Sequence, residues 1–272
     1  MVPLYHTISW RLNKFVLRLG SGAIADGYSA SIIPRDDSKY TLLNVGKQSQ
    51  LEETCSSIPT SKLSRGPITL YEFEGCPFCR KVREAVCMLS LEVEFRPCPK
   101  GEGTVYRNEV KEKYGPKATF PFMIDPNTGV EMFESDDIIE YLFNAYGTKG
   151  VPATITRGIK PTIGLSLLLR YNRGSFSKPS DPPSLPLILW GTEGSPFVKI
   201  VREELCELQL AHRLIPCPRG SPNRQRMFEK KGLFQMPYLE DPNNGVELFE
   251  SSAIIEYLQK MYSVDPPVVE YI

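Results

Sequence analysis

The chain has 272 residues, 41% of them hydrophobic and 24% charged, which suffices for about two ordinary domains and is too apolar for a disordered chain. Its 32 Lys and Arg balance 32 Asp and Glu, so no bulk field draws a polyanion in and nucleic acid is not an expected partner. Seven cysteines are too few and too unevenly spaced for a disulfide scaffold, and no apolar run reaches the roughly 18 residues of a membrane span.

In chain order, residues 1–66 read as a leader. Residues 10–19 set Trp10, Leu12, Phe15, Val16 and Leu19 against Arg11, Lys14 and Arg18. This is a basic amphipathic helix that can make peripheral membrane contact, dock on the protein or be the remnant of a targeting sequence. Residues 51–65 read as a linker.

From residue 67 the chain begins a unit that it later repeats. Residues 67–101 align with 186–220, and 121–146 with 237–262, with 32 of 61 positions identical. Two copies are too few and too long for a solenoid, leaving two globular domains or one pseudo-symmetric pair. Copy A spans 67–147 and copy B 186–263, joined by a helical, proline-rich spacer at 148–185 and followed by a tail at 264–272.

Within copy A, residues 68–73 form a β-branched and aromatic run that predicts a buried strand. Residues 77–89 carry Val82, Val86 and Leu89 at helical spacing behind Pro77, the residue suited to a helix's first turn. Strands are expected at 92–96, 121–124 and 130–133, with an Asp-Pro-Asn turn between the last two. A closing helix is expected at 135–146, with Ser135 as its N-cap and Asp136 and Asp137 in the first turn. The order β-α-β-(α)-β-β-α makes each copy a small α/β sandwich.

The chemistry concentrates at Gly75-Cys76-Pro77-Phe78-Cys79. A cysteine at a helix start meets unpaired N–H groups and the positive end of the helix dipole, which favour its thiolate, and Arg80 and Lys81 add positive charge nearby. A cysteine three positions on can attack a mixed disulfide formed on the first. A structural remnant and half of a metal or iron–sulfur site are the alternatives. Zinc needs two further ligands, and His6 and His212 are the remote histidines available.

Copy B has Ser195 and Val198 at the two cysteine positions, so thiol exchange is excluded there. Cys87 and Cys206 correspond, on a helix beside core positions, and fit a packing role. Cys98 and Cys217 each stand in Pro-Cys-Pro, where the prolines could expose the thiol for a regulatory disulfide.

These motifs, with Phe120-Pro121 before a strand and Glu134-Ser135 before the last helix, resemble glutaredoxins and the N-terminal domain of glutathione S-transferases. The tandem resembles plant and algal proteins of thioredoxin-like type that are often assigned to chloroplasts. The resemblance implies two tandem thioredoxin-like modules, each a four-stranded mixed sheet with flanking helices. It implies Cys76 as nucleophile and Cys79 as resolving thiol. Phe120, before a cis Pro121, would hold the cysteinyl part of glutathione, and Glu134 and Ser135 its γ-glutamyl end. Ser195, Met236, Pro237, Glu250 and Ser251 would form a second site, where the Ser195 hydroxyl can donate to a glutathione thiolate.

The expected function is thiol–disulfide exchange with glutathione or a protein disulfide as partner and without metal. A noncatalytic scaffold that binds other proteins is the rival. A glutathione transferase lacking its helical domain is the third reading.

Overall fold

A computed structural model describes residues 22–56, 63–156 and 172–264. The amphipathic segment 10–19 and the apolar part of the spacer, 161–171, lie outside the described residues. A three-stranded antiparallel sheet comes first, from β1 (Ser29–Pro34), β2 (Asn44–Val45) and β3 (Ser49–Thr54), in the order β1-β3-β2. Residues 51–54, expected as linker, are thus strand; their side chains are mostly half-buried. Glu53 shows why, since it accepts from Tyr28 Oη (2.6 Å) and Arg219 Nε (2.7 Å) and ties this sheet to copy B.

Copy A follows as β4 (Ile68–Glu72), α1 (Pro77–Met88), β5 (Val93–Pro97), α2 (Val105–Tyr114), β6 (Phe122–Asp125), β7 (Val130–Phe133) and α3 (Ser135–Tyr146). After the short α4 (Ala153–Thr156), copy B repeats the series as β8 (Leu187–Gly191), α5 (Pro196–Glu207), β9 (His212–Pro216), α6 (Pro222–Lys231), β10 (Tyr238–Asp241), β11 (Val246–Phe249) and α7 (Ser251–Tyr262). Pro at the first helical position starts α1 and α5, and Ser90 (φ 51°) and Gln209 (φ 56°) turn the chain in the left-handed region just beyond them.

The modules do not keep separate four-stranded sheets. The strands form one eight-stranded sheet ordered β11-β10-β8-β9-β5-β4-β6-β7. β5 and β9 pair antiparallel at the centre, with Val93 opposite Leu214, Glu94 opposite Arg213 and Phe95 opposite His212. Each of these strands would be an unpaired edge in a lone module, a template for unwanted pairing, and their union removes both edges. One continuous cluster, including Ile68, Val86, Phe95, Leu189, Val201 and Leu258, runs through both halves. Each such side chain contributes about 1.5–3 kcal/mol when fully buried. The repeat is therefore one pseudo-symmetric pair.

A buried ion ring lies across the seam. Arg83 of α1 contacts Glu74 (3.3 Å) and Glu193 (3.1 Å), and the corresponding Arg202 of α5 contacts Glu193 and Glu74 (2.5 Å). All four side chains are at most 3% exposed. Each carboxylate meets both guanidiniums, which is what lets charges remain in a dry interior. The neighbouring thiols repeat the symmetry: Cys87 Sγ accepts from Glu193 N (3.3 Å) and Cys206 Sγ from Glu74 N (3.4 Å). The packing expected of this cysteine pair is therefore packing across the seam.

Two short segments brace the pair. Residues 22–26 bond to Arg219 of copy B (Ala25 N to Arg219 O, 3.0 Å) and to the end of α1 (Asp26 N to Met88 O, 2.6 Å). Residues 174–178 do the reciprocal, bonding to Lys100 of copy A (Lys100 N to Ser175 O, 2.7 Å) and to the end of α5 (Lys178 N to Glu207 O, 2.7 Å). Each brace thus bonds to both modules. Gly75 and Gly194 permit the approach, because a Cβ on Gly75 would lie 1.9 Å from Ser175 Oγ and one on Gly194 2.9 Å from Ala23 Cβ.

Two predictions test the seam. Removing one guanidinium by Arg202→Met should cost about 3–5 kcal/mol in urea denaturation, because it leaves two buried carboxylates each short of one of its cationic partners. His212, buried against Phe95 at 5.5 Å between ring centres, is held down to about 4 by burial. The unfolded imidazole takes its proton below about 6.5 and the folded one does not, so this contribution is full above 6.5 and lost as pH falls toward 4. His212→Val, the residue of the matching position Val93, should flatten that part of the stability profile by up to about 3 kcal/mol.

Candidate functional site

Cys76 is the N-cap of α1, with extended backbone (φ −81°, ψ 124°), and its Sγ accepts from Cys79 N at 3.3 Å. Pro77 follows at the first helical position, where its missing N–H costs nothing. The thiol also points at Phe120 O, 3.8 Å away, across the cis Phe120–Pro121 bond. Cys76, Cys79, Phe120 and Pro121 therefore come together in one place.

The two thiols differ electrostatically. Hydrogen bonding from Cys79 lowers the Cys76 pKa below its ordinary value against the opposing effect of burial. Cys79 is fully buried, and loss of solvent raises its pKa well above the ordinary range. The site thus favours the thiolate at Cys76 and the protonated thiol at Cys79. Arg80 and Lys81 do not supply the expected help: Arg80 pairs with Glu84 (3.1 Å) and Glu193 (3.6 Å), and Lys81 pairs with Asp136.

Glu134 and Ser135 lie at the start of α3. Glu134 rather than Ser135 is the N-cap, at φ 64° in the left-handed region, and Ser135 is the first helical residue. The preceding turn places the cap one residue earlier than the Ser-Asp-Asp pattern suggests. Glu134 is exposed, and among the described residues its carboxylate and the Phe120 N–H have no hydrogen-bond partner. They remain free acceptor and donor for a peptide-like ligand, so this set fits glutathione.

Copy B preserves the backbone and changes the chemistry. Ser195 caps α5 at φ −85°, ψ 123°, and accepts from Val198 N at 3.4 Å. Met236–Pro237 is cis, Glu250 (φ 66°) caps α7, and Ser251 begins it. Gln235 Nε2 donates to Glu250, so this module meets part of its own acidic position from within.

Glutathione S-transferase N-terminal domain is the family whose model matches residues 70–150 and again 189–267, more than half of the chain. The chain belongs to this family. No curated protein matches it, and no solved structure does. Both family matches fall on the modules joined at the central strand pair, so the chain is a tandem of transferase N-terminal-type, thioredoxin-like domains fused into one sheet.

In this setting Cys98 and Cys217 are not exposed as their proline flanks suggested. Both are fully buried, each donating to a carbonyl two residues back at 3.4 Å. Burial pushes both thiols up, which disfavours disulfide exchange at these positions. Sequence reasoning also missed Arg107, whose guanidinium lies 4.7 Å from the Phe120 ring centre and bonds to Cys98 O and Pro99 O. Its counterpart Arg224 makes the same pair of carbonyl bonds in copy B, a correspondence hidden by the deletion between the repeats. A cleft of about 490 Å³ between β3 and the start of α6 is lined by Tyr40, Glu52, Ser221 and Arg224, and none of the family's site positions borders it.

Among the described residues no cluster of three or more His, Cys, Asp or Glu is placed to hold a metal. The chemistry available at Cys76 is nucleophilic attack by a thiolate. Alkylation of Cys76 across a pH series should give a midpoint below the free value of about 8.5. A midpoint at or above that value contradicts the electrostatics described here.

Proposed function

We propose that the chain is a thiol–disulfide oxidoreductase acting through Cys76 and Cys79, with glutathione or a protein disulfide as its partner. The observation that carries this reading is the pair of unlike thiols beside a cis proline: Cys76 capped by the Cys79 N–H, and Cys79 buried one turn on. Thiolate attack by Cys76 breaks the substrate S–S bond, leaves half the substrate on Cys76 and releases the other half as a thiolate. Cys79, or a molecule of glutathione, then attacks the mixed disulfide and releases the second half. Where Cys79 resolves, two glutathione molecules reduce the Cys76–Cys79 disulfide and leave as glutathione disulfide; where glutathione resolves and stays on Cys76, one further glutathione frees Cys76 and leaves with it as glutathione disulfide.

The Phe120 backbone receives the cysteinyl part of glutathione, while Glu134 and Ser135 take its γ-glutamyl end. Copy B holds the equivalent frame with Ser195, Met236, Pro237, Glu250 and Ser251, but without a thiol it binds and does not exchange.

Reduction of glutathione disulfide should be lost in Cys76→Ser. In Cys79→Ser the mixed disulfide should accumulate and be visible by intact mass. Glu134→Ala should raise KM for glutathione by about tenfold with little change in kcat, as expected for one lost charge-assisted hydrogen bond. An unchanged KM removes Glu134 from the site, and exchange that persists in Cys76→Ser refutes the mechanism.

A further inference from the structure

The sheet of β1, β2 and β3 covers one face of copy B, and the matching face of copy A has no such cover. The repeat pairs Lys100 with Arg219 and Gly101 with Gly220, and the helices α2 and α6 pair Arg107 with Arg224 and Asn108 with Gln225. In copy B every one of these positions meets the leader sheet. Arg219 donates to Glu53 (2.7 Å) and Tyr28 Oη (3.2 Å), and a Cβ on Gly220 would lie 2.6 Å from Thr54 O. Arg224 donates to Tyr40 Oη (3.2 Å), while Gln225 accepts from Tyr40 N (2.6 Å) and donates to Ser38 O (3.1 Å). Gly220 and Arg224 are buried as a result.

In copy A the corresponding Lys100, Gly101 and Asn108 are exposed, and Arg107 is half-buried. Among the described residues neither cation has a carboxylate partner, and Glu102, two residues past Lys100, pairs with neither. Lys100 Nζ lies 6.0 Å from the Phe73 ring centre, and the Arg107 guanidinium lies 5.3 Å from it while bonding only to backbone carbonyls. Val105 at the start of α2 is 58% exposed, and Phe176, bridged to Lys100 through the backbone, is 56% exposed. This face ends at the thiol site, because Arg107 also rests on Phe120, whose carbonyl is 3.8 Å from Cys76 Sγ.

We propose that this face of copy A is the docking surface for a protein whose disulfide Cys76 attacks, and that the partner is acidic there, presenting a carboxylate to Lys100 and an aromatic ring to Arg107. This rests on the thiol-exchange reading above, and the bonds made and broken are those given there. The leader sheet on copy B is the internal example of the complement: Glu53 serves Arg219, and Tyr40 serves Arg224. A second copy of the chain is not the occupant, since each chain carries one such sheet and seats it on its own copy B.

Charge decides the class of partner. Opposite charges at the rim of an interface raise the rate of productive encounter and reject partners of like charge, and salt screens the effect. Two cations without carboxylates beside Cys76 therefore favour a disulfide set among acidic residues over one set among basic residues. Val105 and Phe176 give such a partner apolar surface to cover. Phe176 belongs to the brace at 174–178, outside both modules, so the spacer contributes to this surface as well as to the joint.

The experiment compares reduction by the full chain of two fluorescence-quenched cystine peptides that differ only beside the cysteine, one carrying Glu and Tyr and the other Lys and Tyr, with glutathione disulfide as the small substrate. The parent should reduce the acidic peptide with a kcat/KM about tenfold above the basic one, and the difference should shrink severalfold in about 0.5 M salt. Lys100→Glu should abolish or reverse the preference while glutathione disulfide reduction stays within about twofold, which also shows that the thiol site has folded. Lys260→Glu, an equal change of net charge on the far helix α7, should keep the preference. A Lys100→Glu protein that still prefers the acidic peptide, or a parent that reduces glutathione disulfide and shows no preference, overturns the docking surface and leaves thiol exchange standing. Self-association of the parent in sedimentation that Lys100→Glu removes puts a second copy on this face and overturns the choice of partner. A parent that reduces neither peptide nor glutathione disulfide overturns the thiol-exchange reading and this proposal with it.

Discussion

The joining of β5 to β9 is the constraint on which the rest of the structure depends. Three residue pairs at the centre of the sheet set the two modules edge to edge. With that pairing fixed, the first helices of the modules, α1 and α5, meet across the seam with their arginines and the glutamates of the preceding turns, and the ion ring forms. A buried ion ring adds little net stability by itself, because desolvation consumes most of its Coulomb energy. What it imposes is geometry: any sliding of one module against the other would separate buried charges from their partners.

That same seam reaches the end of copy A that carries Cys76. Cys76 caps α1 at one end of the helix, and Arg83 belongs to the ring two turns further on. The helix that Cys76 caps is thus held by the second module as well as by its own sheet. The braces at 22–26 and 174–178 add a second set of ties, each bonded to both modules. A tandem in which one copy carries no Cys-x-x-Cys pair still has a physical reason to keep that copy: its edge strand, its arginine and its glutamate complete the first.

The divergence between the copies is concentrated in side chains and leaves the frame unchanged. The cis prolines, the left-handed glutamates 134 and 250, and the aspartates 125 and 241, each bonded to two tyrosines of the closing helix, recur in both. Backbone geometry of this kind is supported by many contacts at once, so it does not depend on which side chains stand at the helix start. The pair Cys76 and Cys79 is a matter of two side chains, and copy B carries Ser195 and Val198 in their place without a change in the turn.

The element order, both modules and the cluster of Cys76, Cys79, Phe120 and Pro121 were legible in the sequence, because periodicity, proline at a helix start and turn residues act locally. Cys98 and Cys217 were misjudged because flanking prolines restrict the backbone but do not determine what packs over it. The N-cap at Glu134 shifted by one residue because the incoming turn, fixed by its pairing with the sheet, outweighed the local capping preference of Ser135. The leader sheet was missed because β1 and β2 are largely exposed and leave no apolar pattern, while the tie of β3 to copy B through Glu53 and Arg219 comes from far along the chain. By itself the sequence determined that a thioredoxin-like unit is present twice and that only the first carries paired thiols. The tertiary structure alone decided that the two units share one sheet and one ring of buried charge, because edge pairing and ion pairing join residues more than a hundred positions apart, beyond the reach of any local pattern.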